Sequence, residues 1–476
     1  MMNKKVIAVA LALALAGGSY AQDDTAKKKV KAYMVSDAHL DTQWNWDIQT
    51  TINEYVWNTI SQNLFLLKKY PEYVFNFEGG VKYAWMKEYY PKQYEEMKKF
   101  IEEGRWHIAG SSWEASDVLV PSVEASIRNI MLGQTYYRQE FGKEGTDIFL
   151  PDCFGFGWTL PTIAAHCGLI GFSSQKLDWR NHPFYGKSKH PFTIGLWKGI
   201  DGKQVMLAHG YDYGRKWNNE DLSKNKDLEK LAQRTPLNTV YRYYGTGDIG
   251  GSPTLGSVRS VEQGIKGYGP VEYPGLVKKT GNTLASQGTS NTLSDSTSEF
   301  YYTLQTDIPE EHSAYYYSSC EVSDTLPAGV DFAGYAAVKM LPSENDVTSW
   351  FSISTDGDVI NFQATQAALS QADFYGKTYE FQIKVRMDPT EITPVYSGDS
   401  YRYEVKNKAS ITCQHINGLA GTSWSDEVTT DCTRYKNKVV NASVKKYTAN
   451  LQDGVWREDL LLPGPDSEYL SLIHIS

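Results

Sequence analysis

The chain has 476 residues and a formal net charge of −9. That length allows two or three domains, each with a sizeable core. The acidic balance excludes a general nucleic-acid binder, which needs basic patches. The 13 Trp and 33 Tyr suit a protein that stacks rings on sugar faces, and equally suit Tyr-rich β structure.

In chain order, the first element is a targeting signal. Met1 to Lys5 is basic, Val6 to Ala16 is apolar, and Ser19-Tyr20-Ala21 is a small-x-small cleavage site. Residues 1–21 read as a secretory signal peptide and 22–30 as a linker. Export to the periplasm, the medium or the cell surface is expected. No later stretch approaches the roughly 18 apolar residues of a membrane span, so no transmembrane helix is expected.

From residue 31 to 273, apolar strands alternate with amphipathic helices. Val30 to Val35 predicts a strand. Val56, Ile60, Leu64 and Leu67 recur at helical spacing until Pro71. Tyr94, Met97 and Ile101 mark a helix before Gly104. Trp106 to Ala109 predicts a strand, Glu124 to Phe141 a long helix, and Ile148 to Leu150 a short strand. This alternation predicts a mostly parallel, barrel-like β/α domain. From 274 to 440 helical periodicity disappears. Short alternating runs between Asp, Pro and Gly turns predict an all-β, Ig-like sandwich. Residues 441–476 read as a tail. Of five cysteines, Cys413 with Cys432 and Cys153 with Cys167 are possible pairs, and free thiols are equally compatible.

The stretch "AHLDTQWNWD" (Ala38 to Asp47) follows the first strand. His39 and Asp41, two apart on extended backbone, point the same way and can share a cation. Asp152, in "LPDCFGFGWTLP", ends a later strand among glycines. A His and two Asp converging from strand ends would suit one zinc ion with open positions. Strand-terminal Asp residues also cap helices and turns.

These segments, with "GRWHIAGSSWEASDVLVPSVEASIRNIMLGQ" (Gly104 to Gln134), "FTIGLWKGIDGKQVMLAHG" (Phe192 to Gly210) and "RYYGTGDIGGSPT" (Arg242 to Thr254), resemble glycoside hydrolase family 38, the retaining α-mannosidases. The resemblance runs from about Lys31 to Glu272. It implies that His39, Asp41 and Asp152 are zinc ligands and that Asp152 is also the nucleophile. It places Trp44 beside a sugar subsite and Asp117 at an acidic position near the site. Asp248 is a candidate general acid, with a turn Asp as the plain alternative; His209 is expected to be structural. The implied substrate is a mannose-containing glycan. The family's fourth zinc ligand is a His farther downstream, and His312, His415 and His474 stand in unrelated context. Activity of this chain is therefore expected to be weak or lost.

The second region, about Gly275 to Cys432, resembles the isopeptide-forming domains of bacterial fimbrial and adhesin proteins, through "EVSDTLPAGVDF" and "YEVKNKASI". The matching residues are Lys279 (or Lys278), Asp324 and Asn407. This implies an alternative role as a self-crosslinking surface protein. An ordinary Ig-like spacer fits the same residues. The tail "LSLIHIS" resembles a translated sequencing adapter, so an inactive, chimeric frame joined near residue 274 is a third expectation.

Overall fold

The computed structural model describes residues 30–178, 193–210, 212–218, 220–235, 237–266, 273–416, 418–436, 444–450, 456–457 and 469–475. The signal peptide and linker expectations lie outside them. Among the described residues, no helix is long and apolar enough to cross a membrane.

Among the described residues, the first module carries eight strands: β1 (Lys31–Ala38), β2 (Phe75–Glu78), β3 (Trp106–Ala109), β4 (Asp147–Phe149), β5 (Gly171–Ser174), β6 (Ile194–Lys198), β7 (Gln204–His209) and β8 (Thr239–Thr246). They form two sheets, ordered β3-β2-β1-β8 and β4-β5-β7-β6. All pairings are parallel except β6 with β7. β3 lies against β4, and β7 against β8, so the sheets curve toward each other as the expected barrel-like body. The helices are α1 (Trp57–Lys69), α2 (Gly80–Tyr89), α3 (Pro91–Glu103), α4 (Val123–Phe141), α5 (Leu160–His166), α6 (Lys226–Ala232) and α7 (Leu255–Lys266).

Local chemistry explains these boundaries. Ser122 accepts from the Ala125 amide and starts α4, satisfying an end donor that the helix leaves open. Gly142, at φ 61°, ends it in the left-handed region. Val56, Ile60, Leu64 and Leu67 do form one buried face, packed with Phe75, Phe77, Tyr83, Met97 and Trp106. That is the helix-on-sheet core the spacing predicts.

Beyond α7 the architecture is antiparallel β. Strands 299–308, 377–387 and 330–341 pair in one sheet, and 359–364, 317–325 and 409–415 in another. Tyr302, Val338, Phe362, Phe381, Ile383 and Ile411 are among the side chains buried between them. Alternate residues enter this core, as strand pleating requires. Cys320 and Cys413 face each other across paired strands and form a disulfide, with Cα atoms 4.1 Å apart. Cys153, Cys167 and Cys432 are free, so neither pair considered from sequence forms. Sheet register, which spacing alone does not give, selects the partner. In the tail, strand 444–450 pairs with strand 469–475.

Candidate active site

β1 delivers His39 and Asp41 to the carboxyl end of the sheet. His39 is buried, its Nε2 3.3 Å from Asp41 Oδ1 and its Nδ1 3.1 Å from Glu78 Oε1. Glu78 closes β2 and pairs with buried Lys82 at 3.4 Å. Lys82 also reaches Glu114 at 3.2 Å. This is a buried relay of alternating charge. Burial pushes the Glu78 carboxyl up, but Lys82 and His39 outweigh it and hold it down at about 2. Burial likewise disfavours a charged His39, yet the hydrogen bonds its ring donates to the Asp41 and Glu78 carboxylates raise it to about 10. Below them, burial, then repulsion from Glu78, drives buried Asp37 well above the usual carboxyl range.

The loop after β8 runs beside this segment. The Asp41 amide donates to the Asp248 carbonyl at 2.8 Å, and the Gly250 amide donates to the His39 carbonyl at 3.2 Å. Asp248 sits at φ 61°, a left-handed conformation that Asp tolerates better than most residues. Its Oδ1 accepts from the Tyr213 hydroxyl at 2.8 Å. The Tyr213 ring crosses Gly247 so closely that a Cβ there would lie 1.6 Å from it. The same ring is 5.5 Å from the His39 ring. Burial, then Asp248, Asp152 and Asp41, push the Tyr213 hydroxyl upward. One tyrosine thus feels all three carboxylates.

Asp152 follows β4. Its Oδ1 is 2.6 Å from Lys176 Nζ and accepts from Gln175 Nε2 at 3.4 Å. Gln175 Oε1 in turn accepts from the Tyr213 amide at 2.9 Å. His39, Asp41, Asp152 and Asp248 therefore gather around Tyr213 from the ends of three strands, β1, β4 and β8. The fit to zinc is incomplete. His39 Nε2 and Asp41 Oδ1 have the spacing of two donors to one cation. Asp152 is paired with Lys176 instead, and among the described residues no three His, Cys, Asp or Glu converge to hold a metal ion.

Residues 29–265 match the model for the Glycosyl hydrolases family 38 N-terminal domain. These residues belong to glycosyl hydrolase family 38. The chain is 31% identical over 247 residues to "Alpha-mannosidase G" of Dictyostelium discoideum, covering 51% of this chain and 22% of that protein. It is 32% identical over 224 residues to "Alpha-mannosidase 2C1" of Homo sapiens, covering 45% and 20%. The chain thus spans about a fifth of the length of these curated relatives. Among solved structures, the major pilin subunit BcpA of Bacillus cereus aligns at 16% identity and a TM-score of 0.28, over 42% of this chain and 56% of that one. That likeness is too loose to carry an argument.

Within the family 38 domain, Trp44 is 61% exposed, with its ring open to solvent rather than packed in the core. Asp117 is exposed and accepts from the Leu119 amide at 3.1 Å, turning its own loop. Burial pushes the neighbouring Cys153 thiol up, with a smaller push from the Asp117 charge. His209 is buried and bonds the Ser174 carbonyl at 3.2 Å, a structural use. Sequence reasoning missed Glu78, Lys176 and Tyr213. Each lies at or just past a strand end, where sites in such sheets gather, and that was the available signal.

The β module holds a second polar cluster. Lys278, Asp324 and Asn407 are all buried. The Lys278 ammonium contacts Asp324 Oδ2, and Asn407 Nδ2 donates to Asp324 Oδ1 at 2.8 Å. Lys278 also lies 4.1 Å from the centre of the Tyr302 ring. Burial lowers the Lys278 ammonium to about 8 against the pull of Asp324. Lys279 is exposed, so the primary assignment to Lys279 is corrected to Lys278. In strand 277–283 the inward positions are Lys278 and Thr280.

Proposed function

We propose that residues 31–266 are the catalytic module of an α-mannosidase that hydrolyses mannose-containing glycans with retention. The observation that carries this reading is the convergence on Tyr213 of Asp248, directly, and of Asp152, through Gln175, in a domain of family 38. Asp152, held by Lys176, attacks the anomeric carbon and forms a glycosyl ester. Asp248 delivers a proton to the departing oxygen as the glycosidic bond breaks. Water then attacks the ester, Asp248 accepts its proton, and Asp152 is released. The Tyr213 hydroxyl orients Asp248 for both transfers. One zinc ion is part of the proposal, with His39 and Asp41 as its donors. It would hold adjacent sugar hydroxyls, and no step above is drawn through it. Trp44 offers an exposed ring for a sugar face. The test is hydrolysis of an aryl α-mannoside by the full chain with zinc supplied. Release of α-mannose first, lost in Asp152→Ala, supports the reading; turnover unchanged in Asp152→Ala overturns it.

A second reading concerns the β module, and the buried Lys278–Asp324–Asn407 cluster favours it. A neutral Lys278 amine attacks the Asn407 side-chain carbonyl while Asp324 shuttles the proton. The new C–N bond links strands 277–283 and 400–407, and the former amide nitrogen leaves as ammonia. The module then serves as a crosslinked surface element on an exported chain. Intact mass tests it. A mass lower by one ammonia, restored in Asn407→Ala, supports the bond, and an unshifted mass sinks it.

A further inference from the structure

The two modules meet through a specific surface. Between strands 299–308 and 317–325, the β module presents Glu311 and Tyr315 to the face formed by α1 and the start of α7. Glu311, its side chain 1% exposed, pairs with Lys69 at 2.6 Å. The Tyr315 ring stacks on Phe65 with centroids 5.6 Å apart. The Tyr315 hydroxyl meets Ser252 Oγ and the Pro253 carbonyl. Tyr315 and Leu419 belong to the same buried cluster as Val56, Ile60 and Leu64 of the barrel. A buried ion pair and a stacked, hydrogen-bonded tyrosine are features of a fitted interface, not of two bodies joined by a slack tether.

Ser252 also matters for the cleft, because it ends the loop that carries Asp248. Its Oγ donates to Gln62 Oε1 at 3.0 Å. Next to it, the Gly251 amide donates to Thr59 Oγ1 at 2.8 Å, and Asn63 Nδ2 donates to the Gly251 carbonyl at 2.8 Å. Gly250 and Asp248 then bond the His39–Asp41 backbone, as above. A continuous line of contacts runs from the β module, through Tyr315 and Ser252, to the backbone that aims Asp248.

We propose that Tyr315, with Glu311, is a positioning element for the Asp248 loop, so that the β module is a working part of the barrel rather than a spacer. The barrel's α1–α7 face is thereby an interaction surface whose partner is this chain's own segment 309–317. The proposal goes beyond the hydrolase reading and does not need it, because its signature appears without substrate.

Hydrogen exchange on the full chain tests it in both directions. Tyr315→Ala should speed amide exchange across residues 247–252 by about tenfold or more, since local opening is set by the contacts that hold a segment. Strand 377–387, deep in the sandwich, should keep its protection. Tyr315→Phe, which keeps the stack and removes the hydroxyl, should give a smaller acceleration at 247–252. From the barrel side, Lys69→Met and Ser252→Ala should speed exchange at 309–317 with the sandwich intact. Reciprocal acceleration supports the proposal. If Tyr315→Ala unfolds the sandwich, the two barrel-side variants decide. Exchange at 309–317 unmoved by either of them, or at 247–252 unmoved by a folded Tyr315→Ala, overturns it.

Discussion

The Lys176 ammonium lies 2.6 Å from the Asp152 carboxylate, on the loop after β5 facing the loop after β4. Both side chains are mostly buried, at 17% and 16% exposure, so solvent screens the pair only in part. Its consequence is geometric, because it fixes which way the carboxylate points. Lys176→Met should lower kcat on an aryl α-mannoside by about tenfold or more, with a smaller change in KM, as expected for a group acting on transition-state geometry. Lys176→Arg should recover part of the loss. Equal kcat in Lys176→Met and the parent chain would remove Lys176 from the mechanism.

The Glu78 relay predicts a stability profile with a definite sign. The Glu78 carboxyl is held at about 2, below its ordinary 4.5. A depressed carboxyl stabilises the fold above its unfolded value, and that contribution fades as pH falls from 4.5 toward 2. In the zinc-free chain, His39, raised from 6.5 to about 10, contributes fully below 6.5 and loses that contribution as pH rises toward 10. The contribution of the pair should therefore be greatest between about 4.5 and 6.5. Glu78→Gln should flatten both limbs in urea unfolding across pH. Glu78→Ala leaves Lys82 short of a partner in the interior and should cost about 3–5 kcal/mol. A pH profile identical in the Glu78→Gln variant would contradict this assignment.

How much of this was legible in the residues themselves differs by level. Strand and helix periods placed the barrel module, because Val56, Ile60, Leu64 and Leu67 bury one face and because short apolar runs end at Gly or Pro. β1 extends to Ala38 rather than stopping at Val35, since Ser36, Asp37 and Ala38 pair with β8, and local composition does not report a long-range partner. His39, Asp41 and Asp152 stood out by motif. Glu78, Lys176 and Tyr213 did not, as each meets its partner only when separate strand ends converge. The Lys278 assignment was within reach. Leu276, just before the strand, and Lys278 and Thr280 within it share one inward parity, which period-two counting selects over Lys279.

That parity gives a sharp test of the second module. Lys278→Ala should abolish the loss of one ammonia from the intact mass, whereas Lys279→Ala should leave it. The crosslinked chain should also need more denaturant to unfold its sandwich than Asn407→Ala, because a covalent link between strands restricts the unfolded chain. Equal denaturation midpoints with a normal mass in every variant would leave Lys278, Asp324 and Asn407 as an ordinary buried polar cluster.

The account rests above all on Asp152 as the nucleophile of a sugar-cleaving cleft, and covalent trapping tests this even where turnover is slow. The full chain, supplied with zinc, is incubated with a 5-fluoro mannosyl fluoride and digested, and the labelled peptide is sequenced by mass spectrometry. The prediction is one fluoromannosyl group on Asp152, absent from Asp152→Asn. No label on the folded chain, or a label that persists in Asp152→Asn, would contradict it.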